Sequence, residues 1–582
     1  MNTIISHDRR MSFLEFLFLI GCLAALAFYF ALALFANSDL SEGRFALFMD
    51  ERITFDGVKK ILHPKNMGEF LSAVFDGGDH RYGRILWNSI AFFSFIPERM
   101  LGDSGQIIAA RMLQVVLVIG YCSIFTFCIL KTWFLRLVAT FTILSVPFSE
   151  YYMTMPKPEP LQLFFLVIFC YFYIKKNATF SWYWIFIGLA FGAKISTLPA
   201  LLVFLIVSLL VKKAHDEAST DLNGLAAAVG AFALGLVIAV PILCIPFFLG
   251  VGVYLVITRM AKIISHNRIF KIGLSLLLTM VVLLISRNNL KIWISNTFLN
   301  TAHGSDRGSI NALTWVGYFF ESWIIAPSEI GIFISILIMA YLVLNASLII
   351  GLGSDFDRKN MAAFAVVLAG FAMNFAVILS AKRLWGFYFY PGALLIVMGI
   401  ILLVDIGIHK SKWHQMVSCI FGNAIAFLLL LISIFYWMPN AVRQFKILET
   451  RTISLEYKLQ YDSYRQYLMF LENFKAPHDN RLRVIMTPSL FPPESNEKYQ
   501  IMEFWGPFNS WDQVPDIIIF GKSNTPRGPM YPEDSPEYIK FLEERKRYGM
   551  HVSEGRVCES RPCYQRELEL LNGGEILILK DK

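Results

Sequence analysis

At 582 residues, with 56% hydrophobic residues, 16% charged residues and a mean hydropathy of +0.54, the chain is excluded from the ordinary soluble class, where about a quarter of residues are charged. The net charge of +8 is scattered in small groups, and no Walker or Gly-x-Gly-x-x-Gly motif marks a nucleotide site. Nothing in it points to a nucleic-acid partner, and the 8 cysteines form no Cys-x-x-Cys or Cys/His cluster suited to a metal.

The first apolar run, Met11 to Phe35, follows Arg9 and Arg10. It is far longer than the roughly 7–15 residues of a signal-peptide core, so it reads as a retained spanning helix. A membrane helix needs about 20 mostly apolar residues. On that measure the chain reads as about thirteen spans: 12–36, 106–130, 137–150, 160–174, 181–193, 196–211, 222–248, 249–260, 272–286, 328–350, 361–380, 387–404 and 416–438. Alternating sides places Arg9/Arg10, Lys131/Arg136, Lys175/Lys176, Lys212/Lys213, Arg259 to Lys271, Arg358/Lys359 and Lys410/Lys412 in one compartment. The positive-inside rule makes that compartment the cytoplasm.

The fold class expected is therefore mainly α, a polytopic membrane domain over 1–440 followed by a small soluble α/β domain over 441–582. The outer face receives the loop 37–105, the turn 149–159, the turn near Lys194, the loop 287–327, the turn 381–386 and the tail. Within the tail, Arg443 to Phe474 reads as an amphipathic, Tyr-rich helix, and a second helical stretch falls near Glu537 to Arg547. Val484 to Met486, Asp516 to Phe520 and Glu575 to Leu579 read as strands. Cys558 and Cys563 are expected to form a local disulfide, with two free thiols as the alternative. The sequons at Asn177 and Asn345 fall in a cytoplasmic turn and inside a helix, which favours a bacterial inner membrane over the endoplasmic reticulum.

Candidate chemistry gathers on the outer face. Asp50 and Glu51 follow the first helix directly, as solvated interfacial charges or as a general base at the lipid–water boundary. Asp76, Asp79, His80, Arg81 and Arg84 surround a glycine pair, and Ile85 to Ile96 is too short to span and reads as an interfacial helix. Pro156, Pro158 and Pro160 force an extended turn that presents Lys157 and Glu159, either as a structural pair or as working groups. Lys194, His303, Arg307, Lys382 and Arg383 are cations on the face opposite the basic loops. Each alone suits a snorkelling side chain, and together they suit an anionic lipid headgroup. Trp505 and Trp511 in the tail suit either an aromatic core or a sugar-stacking surface.

Four features in this order resemble the GT-C glycosyltransferases, nearest to the protein O-mannosyltransferase and lipid A aminoarabinose transferase group. They are Asp50-Glu51, Glu159 opening the fourth span, the GLAFGAKISTLP hairpin around Lys194, and the segment from Lys382 through Trp385 and Tyr388 to Pro391. The likeness covers roughly residues 10–440, and the chain lacks the Lys-Pro-Pro-Leu element of the aminoarabinose transferases. It implies transfer of a sugar from a polyprenyl-phosphate donor to a glycan, lipid or protein acceptor, with inversion, although a retaining mechanism stays open. On this likeness Asp50 is the expected base, and Glu51 or Glu159 positions a substrate. Lys157, Lys194, His303, Arg307 and Arg383 are expected to hold the donor phosphate, and Trp385, Tyr388, His80 and Arg81 to contact substrate. No cofactor is required on this reading, while a divalent metal gathered by Asp50, Glu51 and Glu159 is the alternative. Competing readings are another lipid-linked polysaccharide polymerase or ligase, and a lipid-sugar flippase or transporter.

Overall fold

A computed structural model describes residues 12–37, 49–75, 84–214, 222–244, 246–250, 287, 291, 341–343, 358–380, 386–409, 416, 418–450, 455–474, 481–486, 496–503, 515–520, 564–571 and 573–579. Helix α1 (Phe13–Ala36) opens with a capping box: Ser12 Oγ accepts from Glu15 N at 3.2 Å, and Glu15 Oε2 accepts from Ser12 N at 2.7 Å. Beyond that cap the helix carries no charge. Three short helices follow, α2 (Met49–Leu62), α3 (Met67–Phe75) and α4 (Ile85–Leu101). The bundle continues as α5 (Asp103–Ser123), α6 (Trp133–Ser145), α7 (Ser149–Thr154), α8 (Pro158–Lys175), α9 (Trp184–Ala193), α10 (Leu198–Ala214) and α11 (Leu222–Ala239). Later helices are α12 (Arg358–Ser380), α13 (Tyr390–Ile408), α14 (Asn423–Ile432) and α15 (Met438–Thr450).

The protein is mainly helical, and among the described residues six helical stretches are long and apolar enough to cross a membrane. They are Phe13–Ala36, Asp103–Ile129, Pro158–Lys175, Arg358–Leu379, Gly386–Ile408 and Ile420–Lys446. Several expected boundaries move, each for a local reason. The expected span 137–150 breaks at Val146, because Pro147 offers no N–H and Phe148 takes a left-handed φ of 71°. The expected span 222–248 ends at Ala239, where Val240 leaves helical geometry and Pro241 opens a 3₁₀ turn. The interfacial stretch expected to stop at Ile96 runs through Pro97 to Leu101, with Phe92, Ile96 and Met100 exposed. The expected span 272–286, all but the first two residues of 249–260, most of 328–350, the stretch Glu537 to Arg547 and the Cys558/Cys563 pair lie outside the described residues.

Contacts between helices define two ends of the bundle. At one, Asp405 near the end of α13 accepts from Lys131 N at 3.0 Å and Thr132 N at 2.8 Å, capping α6 from across the bundle. At the other, the α6–α8 connection meets the residues that lead into α13, Tyr152 Oη donating to Phe387 O at 2.9 Å, and α5 meets the start of α13, Tyr121 and Tyr390 sharing a hydrogen bond of 2.6 Å. Between the ends, Val115, Tyr121, Leu144, Met153 and Leu394 belong to one apolar core. A second core joins α8 to α12 through Phe169, Phe204 and Val366.

The chain divides into two compact units, Met1–Ser41 with Asp50–Lys446, and Glu42–Met49 with Ile447–Lys582. The second holds α16 (Leu455–Asn473) and a five-stranded open sheet in the order β2-β1-β3-β5-β4. Its strands are β1 (Leu482–Met486), β2 (Tyr499–Glu503), β3 (Ile517–Phe520), β4 (Tyr564–Glu569) and β5 (Glu575–Leu579). β1 runs parallel to β2 and β3, while β5 is antiparallel to β3 and β4. Tyr467 and Leu471 of α16 pack with Leu482, Val484, Ile517 and Ile576 of the sheet. Of the helix expected over Arg443 to Phe474, residues 443–450 belong to α15 and 455–473 to α16, and 451–454 lie outside the described residues.

Candidate functional site

α2 begins at Met49, so Asp50 and Glu51 stand in its first turn, where the helix dipole favours carboxylates. Glu51 is only 1% exposed and is gripped by Arg111 of α5, Nε to Oε1 at 2.9 Å and Nη2 to Oε2 at 3.0 Å. This fork matches the planar guanidinium to both carboxylate oxygens. Further along α2, Gln106 Nε2 donates to Phe55 O at 2.9 Å. Gly57 is required by packing, since a Cβ there would run into the Trp87 ring, over which the Arg84 guanidinium lies at 4.3 Å. Val58, Trp87, Ala110 and Leu161 share one apolar cluster, which ties α2, α4 and α5 to the beginning of α8.

The start of α8 carries the second carboxylate. Lys157 is extended and caps the helix, with Pro158 at its first position. Pro158 and Pro160 remove two of the N–H groups that a helix start would leave unpaired. Glu159, 2% exposed, forms an ion pair through Oε1 with Lys194. It therefore takes Lys194 and not its near neighbour Lys157, because residues two apart at a helix start do not face each other. Lys194 ends α9 in extended geometry, its N–H bonded to Ala190 O at 3.0 Å, a position the helix dipole favours for a cation. Gln162, one turn into α8, bridges the same junction: Nε2 donates to Ser196 Oγ at 3.1 Å and to Thr197 Oγ1 at 2.7 Å.

The glycines of GLAFGAK serve close packing. A Cβ on Gly188 would strike the Phe232 carbonyl of α11, and one on Gly235 of α11 would strike the Ile185 carbonyl of α9. α9 and α11 therefore meet backbone to backbone, which fixes where Lys194 emerges.

The segment before α13 closes the group. Tyr151 stacks on Phe387 at 5.0 Å, Lys157 Nζ lies 5.8 Å from the centre of the same ring, and Lys194 Nζ lies 6.0 Å from that of Tyr388. Tyr152 packs against Tyr390 with ring centres 4.6 Å apart. Aromatic faces set against ammonium groups stabilise buried cations and form a wall beside the Glu159–Lys194 pair.

Of the residues singled out from sequence, Lys157, Glu159, Lys194 and Tyr388 are brought together, and Glu51 lies on the helix layer next to them. Asp50 is placed by its backbone alone, beside Glu51 in α2. His80, Arg81, His303, Arg307, Lys382, Arg383, Trp385, Trp505 and Trp511 lie outside the described residues. Among the described residues no three His, Cys, Asp or Glu side chains gather as a metal site would require. Arg111, Gln162, Tyr152 and Phe387 escaped sequence reasoning. A charge eight residues into α5, within an otherwise apolar stretch, was the available signal for Arg111. Searches against known proteins give no matching family model and no matching curated protein.

Proposed function

We propose that this chain is a membrane glycosyltransferase of the GT-C type, moving a sugar from a polyprenyl-phosphate donor to an acceptor hydroxyl on the outer face of a bacterial inner membrane. The full layout in this reading is about thirteen spans, the N-terminus in the cytoplasm and the C-terminal unit in the periplasm. The observation that carries it is the convergence of Glu159, Lys194 and Lys157 against the Phe387–Tyr388 wall, with Glu51–Arg111 on the adjoining layer, all near one end of an apolar bundle. Buried charge of this density in a membrane protein is costly unless it serves a site.

The chemistry asks little of an acid, because a polyprenyl phosphate is already a good leaving group. Asp50 takes the proton of the acceptor hydroxyl, whose oxygen forms the new bond to the anomeric carbon. The bond from that carbon to the phosphate oxygen breaks, and the charge left on the departing phosphate is met by Lys157 and by the outer cations His303, Arg307 and Arg383. One such displacement inverts the anomeric centre. Trp385, Tyr388, His80 and Arg81 complete the substrate contacts in this scheme, and the prenyl chain lies between helices. No metal is needed where lysine and arginine carry the charge.

Purified protein in detergent, given radiolabelled polyprenyl-phosphate sugars and candidate acceptors, is expected to give acceptor-dependent product. Movement of the labelled lipid across liposomes without bond cleavage would identify a flippase instead.

A further inference from the structure

Gln162 stands one turn beyond Glu159 on α8, so the two side chains share a face. Gln162 is fully buried and Glu159 nearly so. Thr197 Oγ1 lies 3.0 Å from Ala190 O and 2.9 Å from Lys194 O, and its single hydrogen is committed to those carbonyls. Toward Gln162, 2.7 Å away, Thr197 therefore acts as an acceptor, which fixes the amide with its NH2 on Thr197 and Ser196. Among the described residues the amide oxygen Oε1 is left buried with no hydrogen-bond partner. Glu159 is in the same state, with Oε1 on Lys194 and Oε2 buried without a hydrogen bond from the described residues. Two buried acceptors one turn apart thus have no donor of their own among the described residues, the nearby Tyr152 hydroxyl giving its hydrogen to Phe387 O, although buried polar atoms are almost always satisfied.

The chemistry of the missing partner is constrained. A phosphate brings only acceptors and negative charge, and acceptor against acceptor is repulsive. A metal ion would sit beside the Lys194 ammonium. A polyol offers several O–H donors on one small framework. We infer that Glu159 Oε2 and Gln162 Oε1 form the seat for hydroxyl groups of the transferred sugar, with Gln162 a specificity-determining residue. The inference rests on the donor being a polyprenyl-phosphate sugar, and it moves Lys194 from the phosphate end of that donor to the sugar end.

The test titrates the full chain in detergent with bare polyprenyl phosphate and with polyprenyl phosphates carrying a set of hexoses and pentoses, for the wild type, Gln162→Met and Gln162→Glu. The wild type is expected to hold one sugar-bearing lipid roughly 10-fold or more tighter than the bare lipid, as sites built to bond a hydroxyl do. Gln162→Met should erase most of that preference while leaving the bare lipid unchanged. Gln162→Glu sets a carboxylate oxygen against Thr197 Oγ1, which has no hydrogen left to give, and a second buried carboxylate beside Glu159, and should lose the preference as Gln162→Met does. If Gln162→Met does not fold, single-deoxy analogues of the preferred sugar on the wild type give the same reading, with at least one losing roughly 10-fold. Equal weakening of bare and sugar-bearing lipids by Gln162→Met, no effect on either, or indifference to every deoxy analogue overturns the inference and leaves the donor class standing. Failure of the wild type to bind any of these lipids removes the donor class, and the seat with it.

Discussion

Replacing Arg111 by Met leaves the Glu51 carboxylate, 1% exposed, without the guanidinium that meets both of its oxygens at 2.9 and 3.0 Å. Removing one partner of a buried ion pair costs about 3–5 kcal/mol, because the remaining charge keeps its desolvation penalty and loses its attraction. Arg111→Lys preserves the charge but not the fork, and is expected to fall between wild type and Arg111→Met. The double variant Glu51→Leu/Arg111→Met removes both charges and should return to within about 1 kcal/mol of wild type, or exceed it. The assay is unfolding of the purified chain in mixed micelles by increasing SDS, followed by far-ultraviolet circular dichroism. A cost below about 1 kcal/mol for Arg111→Met, or a double variant whose loss equals the sum of the singles, would refute the pair as an anchor of α2.

Three further outcomes follow from packing and protonation. Gly57→Val forces a side chain into the Trp87 ring and should destabilise by about 1–3 kcal/mol in the same assay. Asp405→Ala strips the acceptors from Lys131 N and Thr132 N at the far end of the bundle, with an expected loss of about 2 kcal/mol, and Asp405→Asn should lose less. In the second unit, burial of Tyr499 raises its hydroxyl above the ordinary tyrosine value. The unfolded chain then loses that proton first, so the stability this group contributes is present below the ordinary tyrosine value and is lost as pH rises through the folded value. Circular dichroism of thermal unfolding across that range should show the decline, and Tyr499→Phe should make it shallower.

The apolar runs announced most helices because burial in lipid demands continuous hydrophobicity, as in Phe13–Ala36 and Gly386–Ile408. Breaks inside those runs were harder to see. Pro147 and Pro241 end helices in surroundings as apolar as the helices themselves, so hydropathy carries no trace of the break, and only the missing N–H predicts it. In the second unit the central strands β1, β3 and β5 were legible from their apolar runs. β2 and β4, with sequences YQIME and YQRELE, lie at the two edges of the sheet, where polar side chains are favoured and no apolar run exists to read. Within the site, Lys157, Glu159 and Lys194 stood out as charges at the ends of apolar segments. Their pairing did not, because which lysine meets Glu159 depends on the α8–α9 junction that Gln162, Ser196 and Thr197 build from positions far apart in the chain. Arg111 was hidden by the same long-range logic, since its partner Glu51 belongs to a different helix.

The most direct test of the central claim is transfer by the purified chain from a radiolabelled polyprenyl-phosphate sugar, run beside Asp50→Asn. The account predicts acceptor-dependent product with release of polyprenyl phosphate from the wild type, and loss of that product in a variant that unfolds at the wild-type SDS concentration. Wild-type protein that transfers from no polyprenyl-phosphate sugar, or an Asp50→Asn variant with full activity, would contradict it.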